Sequence, residues 1–119
     1  MSRGASVVAR ASKLSLIATG ANIPHPDKVA KGGEDAWFVR VTKNGGGEMY
    51  VADGVGGFNE QGVDPGLYAR VLTYEAAKAK EAASRNPLNR GDPKKLIQAA
   101  QEATKLPGAS TLVVVECDG

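Results

Sequence analysis

Hydrophobic and polar positions along this chain fall into four short strand-like stretches and two longer helical ones. Leu14, Leu16 and Ala18 alternate with mostly polar positions, which predicts a first strand over Ser12 to Ile23. The next segment, Pro24-His25-Pro26-Asp27-Lys28, holds two prolines and reads as a loop. Alternation resumes from Ala36 to Thr42, with Trp37, Val39 and Val41 on one face, and predicts a second strand. Asn44-Gly45-Gly46-Gly47 then supplies a tight reversal, and Glu48 to Asp53 returns as a third strand ending on Asp53-Gly54.

The helical period takes over at Asp64-Pro65. Asp64 can cap free amides and Pro65 suits the first helical position, so a helix is expected to run to about Ser84. Its apolar stripe is read as Leu67, Val71, Tyr74 and Ala77. Asp92-Pro93 repeats the same start, with Leu96, Ile97, Ala100 and Ala103 as the stripe to about Thr104, and Pro107-Gly108 stops it. Ser110 to Cys117 is rich in valine and predicts a fourth, buried strand. The expected fold class is α/β in the layered α+β sense, an antiparallel sheet with two packed helices. Asp118-Gly119 is a hairpin-turn dipeptide with no returning strand after it, so residues 12–119 are expected to be the N-terminal part of a longer domain.

Composition changes this picture little. The 119 residues are 42% hydrophobic and 24% charged, an ordinary globular balance for one core. A net charge of +2, without aromatics among the Lys and Arg, argues against a nucleic-acid partner. Cys117 is the only cysteine, which rules out an internal disulfide, and it is expected to be a buried, inert thiol. No apolar run is long enough for a membrane span. Residues 1–11 contain Arg3 and Arg10 and no acid, and read as a disordered or transit-like start.

Two acidic clusters could carry chemistry. Glu34-Asp35 stands at the mouth of the second strand, and Asp53-Gly54 closes the third. If these strands pair as a hairpin, the carboxylates converge at one end of the sheet. Hard cations such as Mg²⁺ and Mn²⁺ take oxygen ligands of this kind. From the residues alone a plainer reading stands beside it: a solvated loop and a turn. Other motifs fail on spacing. Asn59 replaces the last glycine of a dinucleotide fingerprint, no Gly-Lys-Ser/Thr phosphate loop occurs, and His25 alone cannot build a multi-histidine zinc site. Nor is there a Gly-x-Ser-x-Gly nucleophile elbow.

Gly33-Glu34-Asp35-Ala36 followed by Val51-Ala52-Asp53-Gly54-Val55-Gly56-Gly57 resembles the first two signature blocks of metal-dependent type 2C protein phosphatases. The similar subgroup is organellar, with a Pro-His-Pro loop, Gly-Gly-Glu-Asp-Ala, Asp-Gly-Val-Gly-Gly and Gly-Leu-Tyr-Ala-Arg, all present here in order. Gly108-Ala109-Ser110-Thr111 resembles the block that opens the next family strand. The resemblance implies half of a two-sheet sandwich and a hydrolase acting on phosphoserine and phosphothreonine proteins, a monomer when complete. It implies Asp53 bridging two Mn²⁺ or Mg²⁺ ions, the Gly54 carbonyl on one of them, and Glu34 and Asp35 holding a metal or its waters. Two such ions would acidify a shared water, so that no protein nucleophile is needed.

The chain also departs from the family. Val55 stands where many members have a histidine after Asp-Gly, and Ala30 where many have a phosphate-gripping arginine. Lys28, Lys31 and His25 are the candidates to replace that grip. The family's later Asp-Gly and Asp-Asn ligands do not occur in the sequence. The 119 residues alone are therefore expected to be weakly active or inactive. The rival reading is a non-catalytic short form that binds phosphoprotein or a partner chain. The subgroup implies an intracellular location, in mitochondrion or plastid, with the cytoplasm as the other option.

Overall fold

The computed structural model describes residues 14–57, 62–85 and 92–118, so the expectation for residues 1–11 lies outside the described residues. A short 3-10 helix, Pro26–Lys31, precedes strands β1 (Asp35–Val41) and β2 (Gly47–Asp53); helices α1 (Pro65–Ser84) and α2 (Pro93–Ala103) follow, then strand β3 (Val113–Cys117). The strands form one antiparallel sheet in the order β1-β2-β3. The predicted α+β class and hairpin are both observed.

Caps set the helices. The Asp64 carboxylate accepts from the Gly66 and Leu67 amides at 3.0 and 3.2 Å, and Asp92 accepts from Lys94 at 2.9 Å. Each satisfies amides that the first turn cannot pair internally. Helix α1 lies on one face of the sheet. Tyr68, Leu72, Ala76 and Ala77 bury against Tyr50, and Leu96 and Ala100 of α2 close the same cluster, with Phe38 and Val114 at its margin. Phe38 and Tyr50 face each other across the ladder with stacked rings 5.6 Å apart. Toward the other end the contact narrows to Ala36, Ala52 and Ala69. Alanine at all three places lets the α1 backbone approach the sheet closely there.

Several expectations fail. No strand forms in the described part of Ser12–Ile23; residues 14–23 run without regular structure, tied to the hairpin turn by Leu16 N–H donating to Gly45 O at 2.7 Å. Alternation alone cannot make a strand, because the pairing comes from a neighbour's ladder. The Pro24–Lys28 loop does wind into the 3-10 helix, which a proline at its first position permits. The α1 stripe is rotated from the predicted one: Leu67 is 44% and Tyr74 62% exposed, while Tyr68, Ala69, Leu72 and Thr73 are buried. Of the α2 stripe, Leu96 and Ala100 are buried but Ala103 is exposed. Strand β3 begins at Val113 and is half-buried, with Val113, Val115 and Cys117 exposed. The reason is shared with β1, where Trp37 and Val41 are also exposed: helices cover only one sheet face among the described residues.

Candidate active site

The β1–β2 register brings the carboxylates together. Asp35 lies directly across from Asp53, so the first residue of one strand faces the last of the other. The pleat puts their side chains on the same face of the sheet. Loss of hydration, then the Asp53 charge and Glu34, push the Asp35 carboxyl above its ordinary range, against the pull of Lys28. Because Asp35 is largely solvent-exposed as a residue, the like-charge pair is the firmer of these causes.

Backbone contacts fix both partners. The Asp53 N–H donates to the Thr111 hydroxyl at 3.0 Å, and the Thr111 N–H donates to Asp53 O at 2.9 Å. Gly54 N–H donates to Glu34 O at 2.9 Å, and Gly54 bridges Ser110 on its other side. A side chain at Gly54 would meet Pro65 O at 2.3 Å and Glu34 O at 2.8 Å, so only glycine lets the strand end, the Glu34 segment and the start of α1 meet here. Gly32 and Gly33, both at φ 80°, turn the chain from the 3-10 helix into β1. The Asn22 amide spans the same turn, donating to Gly32 O and Asp35 O at 3.5 and 3.4 Å.

The predicted residues do not all serve alike. Asp35, Asp53 and the Gly54 backbone are assembled at one point. The Glu34 carboxylate instead accepts from Lys28 Nζ at 2.5 Å, which commits that lysine as well. His25 Nδ1 accepts from the Asp27 N–H at 3.1 Å and caps the 3-10 helix. Lys31 is exposed at that helix's end. Among the described residues, no group of three or more potential ligand side chains surrounds a common point. The donor chemistry suits a hard divalent ion, since two facing carboxylates repel unless a cation or a proton lies between them, but these residues make two ligands rather than a full set. Thr111 positions Asp53 and is not singled out by local pattern; its Gly-Ala-Ser-Thr block signals only the opening of a strand.

An open cleft of about 360 Å³ runs between the outer edge of β1 and α1, with Asn22, Asp35, Phe38, Arg70 and Tyr74 among its walls; Asp53 does not line it. Among the described residues, no helix is long and apolar enough to cross a membrane.

No family model matches the chain. Curated proteins do. The chain is 46% identical over 92 residues to probable protein phosphatase 2C 26 of Arabidopsis thaliana, and 37% identical over 102 residues to probable protein phosphatase 2C 55 of the same plant. These matches take in 77% and 86% of this chain but 29% and 21% of the relatives, so the chain spans less than a third of their length. Among solved structures, the photosystem II phosphatase PBCP superimposes with a TM-score of 0.66 at 35% identity, over 79% of this chain and 35% of that one.

Proposed function

For a chain that belongs to the type 2C protein phosphatase family over the part it spans, we propose that it carries one wall of the active site of a metal-dependent protein serine/threonine phosphatase. The observation behind this reading is the Asp35–Asp53 pair, set face to face by strand register and locked by Thr111 and Gly54. Asp35, Asp53 and the Gly54 carbonyl would hold Mn²⁺ or Mg²⁺, with Glu34 next to them and shared with Lys28. When bound, the ions supply the water activation and charge neutralisation that phosphoester hydrolysis without a protein nucleophile requires. The chain's own part is to hold two carboxylates across one strand pair, on the sheet face that α1 leaves open.

The substrate class is phosphoserine and phosphothreonine in proteins, and the activity belongs to the complete protein. The photosystem II phosphatase among the structural neighbours supports a plastid location. The test is Mn²⁺-dependent release of phosphate from a phosphothreonine peptide by the full-length protein. Asp53→Ala is expected to lower turnover by more than the roughly 10–100-fold typical of outer-shell metal-site changes. Turnover that survives Asp53→Ala, or that ignores Mn²⁺, would sink the assignment.

A further inference from the structure

Strand β1 lies at the outside of the sheet, and its outer edge pairs with no strand among the described residues. The ladder decides which groups stand there. Gly54 N–H donates to Glu34 O and Thr42 N–H donates to Gly46 O, so the even-numbered residues of β1 bond toward β2. The backbone groups of Asp35, Trp37, Val39 and Val41 therefore point away from the sheet. Asn22 takes the first of them, donating to Asp35 O at 3.4 Å. From Trp37 to Val41 these outward N–H and C=O groups have no backbone partner among the described residues. Sheets commonly blunt such an edge with a proline, a lysine or a bulge. Asp35–Val41 has none of these, its pairing with β2 runs unbroken, and its one cation, Arg40, is turned onto Glu48.

This edge forms one wall of the cleft. The other wall is α1, where Arg70, Thr73, Tyr74 and Ala77 follow one another at helical spacing, with Phe38 between the two walls. Helix and strand run in the same direction, since Ala69 packs on Ala36 and Ala77 O accepts from Arg40 Nη2 at 3.3 Å. Arg70 thus stands toward the opening of β1, its Nη1 3.9 Å from where a Gly32 Cβ would be. Tyr74 stands further along and is 62% exposed. Among the described residues no carboxylate pairs with Arg70, whereas Lys28, Arg40 and Lys80 are all paired. Four helix positions span about 6 Å and two strand residues about 6.6 Å. A strand added to β1 would therefore set one side chain at Arg70 and its next same-face neighbour at Phe38 and Tyr74.

We propose that the outer edge of β1 and the facing side of α1 form a docking site for an extended segment of a partner protein, which joins the sheet as a further strand. The segment carries an acid for Arg70 and, two residues away, an apolar side chain for Phe38 and Tyr74. The Asp35 side chain stands on the other sheet face with Trp37, away from that acid. The site is separate from the carboxylate pair and needs no bound metal.

The test uses the full-length protein and two dye-labelled peptides, Thr-Leu-Thr-Glu-Thr-Leu-Thr and the same sequence with Lys for Glu. Both read alike in either strand direction. Anisotropy measures binding, and amide hydrogen exchange by NMR reports on Trp37 and Val39. The glutamate peptide is expected to bind and to slow exchange at both amides, with the lysine peptide roughly tenfold weaker. Arg70→Glu should reverse that preference. Val39→Pro removes an outward N–H without taking a bond from the β1–β2 ladder, and should weaken the glutamate peptide roughly tenfold. No binding of the glutamate peptide at about 1 mM, equal binding of both, or binding that leaves the two amides unchanged overturns the proposal. So does protection of these amides in the free protein. Protection that grows with protein concentration would assign the edge to a second copy, and protection that does not would assign it to the rest of the chain.

Discussion

At one end of the β1–β2 ladder Asp35 faces Asp53; toward the other, Arg40 faces Glu48, which in turn faces Glu116 of β3. Both places set acids side by side across strands, an arrangement that costs stability unless a counter-charge intervenes. Toward the far end it does. Arg40 forks onto the buried Glu48, with its Nε at 2.7 Å, and also donates to Ala77 O at 3.3 Å. The guanidinium lies over the Phe38 ring, and Lys80 reaches Glu116 at 3.3 Å. At the site end Lys28 pairs with Glu34, and among the described residues no cation pairs with Asp35 or Asp53. The same fold balances acids at one place and leaves them in surplus at the other. That surplus is what the proposed cation site would draw on.

Substitutions can break this contrast. The largest stability loss is expected for Glu48→Ala, which removes the buried partner of Arg40 and leaves it Glu81 at 3.8 Å; urea unfolding of the metal-free, full-length protein should fall by about 3 kcal/mol. A loss below about 1 kcal/mol would mean that the far end is no more than a surface pair. Gly54→Ala should cost about 1–3 kcal/mol by forcing Pro65 and Glu34 off the strand end, and it should weaken Mn²⁺ binding measured by calorimetry. The smallest effect has the opposite sign. Asp35→Asn removes a repulsion, so the metal-free protein should gain up to about 1 kcal/mol while Mn²⁺ affinity falls. A destabilised Asp35→Asn protein would show that the two ends do not differ as described.

The site was more legible in sequence than the packing around it. Asp35 and Asp53 follow from a hairpin whose turn and alternation leave little choice of register. Both helix starts follow from Asp-Pro, a local signal. The lining of α1 differs because the helix offers two apolar stripes of equal bulk, one through Leu67, Val71 and Tyr74 and one through Tyr68 and Leu72. The approach to the sheet near the site, with Ala69 against Ala36 and Ala52, selects the second. Small residues mark a close crossing only once the partner surface is known. The first strand was misread for a related reason, since alternation at Leu14, Leu16 and Ala18 says nothing of a neighbour to pair with. The role of Thr111 was hidden because a hydroxyl that clamps a backbone 58 residues away leaves no mark in local pattern.

Trp37 is the only tryptophan in the sequence. It stands two residues after Asp35, on the same side of β1, and its ring is close enough to Gly20 that a side chain there would collide with it at 2.5 Å. With 40% of its surface open, its indole samples both water and the 14–23 segment. The protein therefore carries its own optical reporter within a strand's pleat of the carboxylate pair. A cation that draws Asp35 and Asp53 together, or any displacement of the 14–23 segment, changes what that ring touches, and its emission should register the event without a label.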